Sequence, residues 1–126
     1  MRALADTSLF IGREQGRRLE GQVPDELVVS VVTLAELRLG VLMASTLEAR
    51  SRRLDTLSLV ESLEPLPVDE GVAAAWARLV AELRAARRRA PINDSWIAAT
   101  AIAHELPIAT QDADYDHLPG VTVIRL

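Results

Sequence analysis

Leu27-Val28-Val29-Ser30 runs directly into Val31-Val32-Thr33-Leu34-Ala35-Glu36-Leu37. The first four residues are apolar on both sides and rich in β-branched side chains, which marks a buried strand. Val32, Ala35, Leu39 and Leu42 then recur at helical spacing, which predicts a helix over about Val32 to Ala44. A strand with no polar face, followed at once by an amphipathic helix, is a unit of a parallel sheet covered by helices.

The same alternation extends in both directions. Upstream, Arg2-Ala3-Leu4-Ala5-Asp6 reads as a short strand ending in an acid. Thr7 to Gln15 reads as a helix with Thr7 or Ser8 near its cap, and Gly16 to Glu26 as a polar loop. Downstream, Thr46 to Leu63 is a second helix, closed by Pro65 and Pro67. Val68 reads as a brief strand, and Asp69 caps a long helix to about Arg89. Pro91 breaks the chain, Asn93 caps a helix to His104, and Pro107-Ile108-Ala109 forms a strand. Gln111 to Gly120 is an acidic turn region, and Val121 to Arg125 is a last strand. The fold class expected is α/β, a three-layer α/β/α sandwich with a central parallel sheet. At 126 residues, positions 1–126 are expected to form a single domain.

Composition removes whole classes of chemistry. Hydrophobic residues make up 49 % and charged residues 25 %, ordinary for a folded globular chain. There is no cysteine, so disulfides, Fe–S clusters, thiolate zinc and Cys nucleophiles are excluded. His104 and His117 are the only histidines, which excludes a three-His metal site. All fourteen cations are arginine, so Schiff-base chemistry and the lysine phosphate loop are excluded too. Charge interrupts every apolar run well short of the ~20 residues a membrane span needs. Asp6 follows the start too soon for a signal peptide, and a cytoplasmic location without membrane contact is expected.

In open α/β sheets, sites form at the carboxyl ends of the strands. Asp6 follows the first strand and Asp112 follows the strand Ile108-Ala109. Glu36 and Asp94 lie near the starts of helices that begin at that same edge. Each has a structural alternative. Asp6 can cap a helix, Asp94 can favour a helix dipole, and Asp112 can serve a turn. Glu36 stands three residues after Thr33, the capping-box spacing. If Ser30 starts the helix instead, Glu36 falls in the second turn and caps nothing. Asp94 shares a stripe with Ala98 and Ala101, so it points toward the protein interior. Together the four acids converge on one cleft. Two carboxylates 4 Å apart repel by about 4 kcal/mol at an effective dielectric near 20, so such a cleft raises the carboxylates' pKa values or demands a cation. With oxygen donors alone, Mg2+ is the first choice, Mn2+ an alternative and zinc a poor one. Asp112-Ala113-Asp114-Tyr115-Asp116 starts like an EF-hand loop, but His117 stands at the glycine position and Val123 at the glutamate position. Asp116 keeps a structural reading.

Four pieces of the chain resemble the PIN-domain ribonucleases, and within them the VapC toxins of toxin–antitoxin pairs. They are Leu4-Ala5-Asp6-Thr7-Ser8, Ser30 to Leu37, Asn93-Asp94 with Ile97-Ala98-Ala99-Thr100-Ala101, and Thr110-Gln111-Asp112-Ala113-Asp114-Tyr115. The resemblance implies Mg2+-dependent cleavage of single-stranded or looped RNA, leaving 3′-hydroxyl and 5′-phosphate ends. By motif position it implies an acidic quartet of Asp6, Glu36, Asp94 and Asp112, with Asp114 as a fifth acid and an alternative to Asp112. It implies hydroxyls beside the metal at Thr7, Ser8 and Thr110. It further implies a cognate antitoxin and a homodimer.

In the mechanism expected, Asp6, Asp94 and Asp112, with Asp114, hold the metal, and Glu36 positions or deprotonates water. Thr7, Ser8 and Thr110 orient these groups. Setting the five acids aside leaves 13 acidic residues against 14 arginines, a balance of +1, so the rest of the surface does not repel RNA. Arginines are the expected RNA contacts: Arg13, Arg17 and Arg18 after the first acid motif, then Arg50, Arg52 and Arg53, then Arg84, Arg87, Arg88 and Arg89, the last group with a helix-dipole alternative; Arg13 is the first choice among them. Leu37, Val41, Met43 and the Leu57 to Leu63 region carry apolar side chains beyond one buried stripe and are the expected partner surface. Trp76 and Trp96 are read as core or interface residues. A non-catalytic PIN-like module binding RNA or protein is the alternative. A signalling receiver, which also gathers acids at strand ends, needs the lysine this chain lacks.

Overall fold

Strand β1 (Arg2–Ala5) sends alternate side chains to opposite faces, as a pleated strand must, and each face meets its own core. Ala3 and Ala5 pack with Leu9, Phe10, Leu37, Leu57 and Val60, whereas Leu4 packs with Leu79, Leu83, Ile97 and Ala101. The structure, a computed structural model, describes Met1–Leu126. After β1 come α1 (Thr7–Glu14), β2 (Glu26–Val28), α2 (Val31–Leu42), α3 (Leu47–Glu61), α4 (Glu70–Ala85), α5 (Ile92–Ala103), β3 (Ile108–Thr110) and β4 (Val123–Arg125). The first core belongs to α1, α2 and α3, and the second to α4 and α5. Helices therefore cover both faces of the sheet, giving the three-layer α/β/α arrangement.

The sheet has the order β2-β1-β3-β4, and every pairing is parallel. Leu4 sits opposite Val28 on one side and Ile108 on the other. The chain leaves β1 toward β2 on one flank and reaches β3 on the other flank only through α5. The crevice between the carboxyl ends of β1 and β3 is thus the switch point at which such sheets bind ligands.

Local chemistry explains most element starts. Ser30 Oγ accepts from the Val32 amide at 3.0 Å, Thr46 Oγ1 from Ala49 at 3.1 Å, and Asp69 Oδ1 from Val72 at 2.9 Å. Ser30, not Thr33, is therefore the cap of α2, and Glu36 lies in its second turn. Several sequence expectations need correction. Val68 forms no strand; the single bridge there joins Leu66 to Ser30. Helix α4 ends at Ala85 rather than Arg89, and α5 starts from Pro91 with Asn93 already inside its first turn. Pro91 supplies an extended residue before the helix, so no side-chain cap is needed to turn the chain. Leu37, Leu57 and Val60 are core, and Val41 and Leu63 pack against it. The exposed apolar residues on that side are Leu39, Leu42, Met43, Leu47, Leu54 and Leu59, of which Met43 and Leu59 belong to the expected partner surface. No helix is long and apolar enough to cross a membrane.

Candidate active site: an acidic cleft at the sheet edge

Five carboxylates from four remote segments line one cleft of about 340 Å³: Asp6, Glu36, Asp94, Asp112 and Asp114. Thr7, Ser8, Ile11 and Arg17 complete the lining, and Ile11 is its one apolar member. The sheet edge and two helix starts create this convergence. Asp6 ends β1, Glu36 projects from α2, Asp94 lies in the first turn of α5, and Asp112 and Asp114 follow β3.

Asp6 occupies the N-cap position of α1, yet its side chain makes no capping bond. It faces the cleft instead, where Ser8 Oγ donates to its Oδ1 at 2.7 Å. Ser8 also lies 3.3 Å from the Thr110 hydroxyl, and Thr110 Oγ1 accepts from the Asp112 amide at 2.9 Å. One chain of hydroxyls thereby links the ends of β1 and β3. Thr7 Oγ1 donates to Glu36 Oε1 at 2.8 Å and lies 3.0 Å from Thr33 Oγ1. On the opposite wall, the buried Tyr115 hydroxyl donates to Asp94 Oδ1 at 3.2 Å.

The electrostatics are those of negative charge held without a counter-ion. Burial pushes Asp6 up to about 6; hydrogen bonds from Ser8 and Thr110 oppose this, and the Asp112 and Asp94 charges add to it. Burial likewise pushes Asp94 up to about 6, reinforced by Asp114 and Glu36 and opposed by the Tyr115 hydroxyl. Burial and the neighbouring carboxylates raise Tyr115, so it remains a protonated donor. The four ion pairs of the structure join the N-terminal ammonium to Asp25, Arg2 to Glu26, Arg38 to Glu61 and Arg125 to Asp116. None involves the five cleft acids.

This donor set fits a hard divalent cation. Its donors are oxygens only, from the carboxylates and the Thr7 and Ser8 hydroxyls, with no imidazole or thiolate to favour zinc or copper. No three of the carboxylates are drawn onto a common point, so rotation of side chains and bridging water would complete a coordination shell.

The sequence-derived residues are distributed as follows. All five acids line the cleft with Thr7 and Ser8, and Thr110 is buried beneath them in the hydroxyl chain. Arg13 is exposed in the last turn of α1 and is not part of the cleft; Arg17 is the arginine that lines it. Gln111 steers that residue, accepting from Arg17 at 3.4 Å and donating to the Arg18 carbonyl at 3.2 Å. Gly12 leaves the space Gln111 occupies, since a side chain there would collide with the Gln111 amide. Asp116 is not part of the cleft lining and pairs with Arg125, which also donates to the Asp112 carbonyl. In the sequence, Arg17 stands beside Arg13 and Arg18 as a secondary RNA-contact candidate, Thr33 reads only as a possible helix cap, and Tyr115 has no site role of its own. The signal Tyr115 carries is that of an aromatic ring inside an otherwise polar, acidic turn.

Comparison with known proteins gives the same picture. The PIN domain family matches residues 3–121. The chain is 59 % identical over 129 residues to Ribonuclease VapC4 of Mycobacterium tuberculosis (strain ATCC 25618 / H37Rv), covering 99 % of this chain and 97 % of the relative. It is 49 % identical over 122 residues to Ribonuclease VapC5 of the same organism, covering 96 % and 90 %. The crystal structure of VapBC-5, a member of the VapBC family of toxin–antitoxin systems from Mycobacterium tuberculosis, superposes with a TM-score of 0.89 at 45 % identity, over 99 % of this chain and 98 % of that one. With four motifs in order, the three-layer sheet and the acidic cleft all in agreement, this chain belongs to the PIN-domain family, among the VapC ribonucleases.

Proposed function

We propose that the chain is a divalent-metal-dependent endoribonuclease that acts as the toxin of a toxin–antitoxin pair. The observation that carries this reading is the gathering of Asp6, Glu36, Asp94, Asp112 and Asp114 in one cleft with no ion-pair partner. Asp6, Asp94 and Asp112, with Asp114, would hold Mg2+ or Mn2+, which when bound would supply charge neutralisation at the phosphate and lower the pKa of water.

The chain's own residues do the rest. Thr7 fixes Glu36 through the 2.8 Å hydrogen bond, so that Glu36 presents its second oxygen to a water attacking the phosphate. Ser8 and Thr110 hold the Asp6 carboxylate in place, and Tyr115 does the same for Asp94. Arg17, at the rim, contributes positive charge toward the RNA backbone.

The partner is an antitoxin, in keeping with the toxin–antitoxin system to which the similar VapBC-5 structure belongs. Leu39, Leu42, Met43 and Leu47, 59 to 83 % exposed, offer an apolar surface for it or for a second copy in a homodimer. The chain works as one domain in the cytoplasm, where RNA and antitoxin are both met. Mapping RNA 5′ ends in cells expressing the protein tests the reading. New 5′-phosphate ends at a small set of sites, absent when the antitoxin is co-expressed, are expected; an unchanged 5′-end profile contradicts it.

A further inference from the structure

A second cavity is larger than the acidic cleft. It has about 510 Å³ and lies where α4 ends and α5 begins, a volume typical of small-ligand sites. Arg84, Arg87, Arg88 and Arg89 line it, and no acidic residue does. Arg88 is engaged, donating to the His117 carbonyl at 2.8 Å. Arg84, Arg87 and Arg89 form none of the ion pairs in the structure. Favouring the α4 dipole accounts for Arg84 alone, the basic residue of its last turn; Arg87 and Arg89 lie beyond the helix. Trp76 and Val80 give the cavity an apolar floor, and Trp76 is held there by stacking on Trp96 at 4.5 Å and by donating to Ser95 Oγ at 2.9 Å.

The position of this cavity is what gives it meaning. Asp94 lines the acidic cleft and Ser95, the next residue, lines the arginine cavity. The two linings therefore adjoin along the first turn of α5. Five carboxylates repel a polyanion, and the whole chain carries a net charge of −4. RNA therefore needs cationic footholds beside the cleft, and free arginines over an apolar floor suit a phosphate and its base together.

Resting on the ribonuclease reading, we propose that this cavity is a substrate subsite that binds the RNA strand next to the scissile phosphate, with Arg84, Arg87 and Arg89 on backbone phosphates and Trp76 beneath a base. The test uses the full chain, the RNA whose cut site 5′-end mapping identifies, and the Arg84→Ala/Arg87→Ala double variant. Both positions are exposed, and equal melting curves check that the variant folds. The double variant is expected to raise KM about tenfold at unchanged kcat and to lower the slope of log KM against log salt by about 1.4, the loss of two single-strand phosphate contacts. The Arg84→Lys/Arg87→Lys pair keeps the charge and restores the slope. Trp76 and Trp96 are the only tryptophans, so RNA added in EDTA quenches wild-type fluorescence and quenches the alanine variant less. Wild-type KM, salt slope and quenching in the alanine variant overturn the subsite while leaving the ribonuclease intact. Weakened antitoxin binding with unchanged RNA kinetics overturns it in favour of a protein contact. A wild-type protein that cuts no RNA overturns both readings.

Discussion

The Thr7 hydroxyl donates to Glu36 Oε1 at 2.8 Å, joining the first turn of α1 to the second turn of α2 across 29 residues of sequence. Neither side chain caps its helix. Thr7 has turned toward the acid, and α2 is capped by Ser30. The pair is therefore part of the cleft. Thr7→Val keeps the shape and removes the donor, which frees Glu36 to rotate. Steady-state kinetics should show kcat about 10- to 100-fold lower at unchanged KM, with Thr7→Ser close to wild type. Equal kcat for Thr7→Val would remove the hydrogen bond from the mechanism.

Glu36→Gln separates catalysis from capping. Because Glu36 satisfies no helix-end amide, the substitution should abolish RNA cleavage and growth inhibition on expression while leaving the melting temperature within about a degree or two of wild type. Ser30→Ala is the converse variant. It removes the acceptor of the Val32 amide and should cost about 1 kcal/mol of stability while cleavage persists. A melting loss in Glu36→Gln with retained cleavage would restore the capping-box reading.

The metal-free protein should be sensitive to pH in an unusual direction. Asp6 and Asp94 are both raised from 3.8 to about 6 in the folded state. Groups raised on folding contribute stability that is complete below the unfolded value and lost as pH rises through the folded one. In EDTA, these two residues therefore favour the fold at about pH 4 and cease to do so above about pH 6 to 7. The shift at Asp6 corresponds to at most ~3 kcal/mol, and that at half-buried Asp94 to less. Thermal melts in EDTA across that range, compared between wild type and Asp94→Asn, should show the variant losing less stability as pH rises. Identical pH profiles would mean that Asp94 is not held against its charge. Added Mg2+ should raise the wild-type melting temperature at neutral pH, because an ion bound only by the fold stabilises it.

Much of this was legible in the sequence because period-2 and period-3.6 patterns coincide with burial. Ala3-Leu4-Ala5 and Leu27-Val28-Val29 read as two-sided apolar strands and proved to feed two separate cores. The five acids could be placed at one edge because each adjoins a strand end or helix start. What the sequence could not convey were facts of packing. Asn93 looks like a cap, but Pro91 already turns the chain and Asn93 falls inside α5. Leu37 and Leu57 looked surplus until the face of α1 was known to need them. Arg13 and Arg17 are equivalent in composition; only the Gln111 contact and the space left by Gly12 put Arg17 at the rim. Tyr115 reaches Asp94 across 21 residues, a contact no local pattern encodes.

The central claim is that carboxylates drawn from remote segments act on RNA only through a captured divalent ion. Incubating the purified protein with its RNA in Mg2+ or in EDTA, alongside Asp94→Asn, tests it most directly. Cleavage to 5′-phosphate ends in Mg2+, with none in EDTA and none by folded Asp94→Asn in either, is the predicted result. Cleavage that persists in EDTA, or a fully active Asp94→Asn, would contradict it.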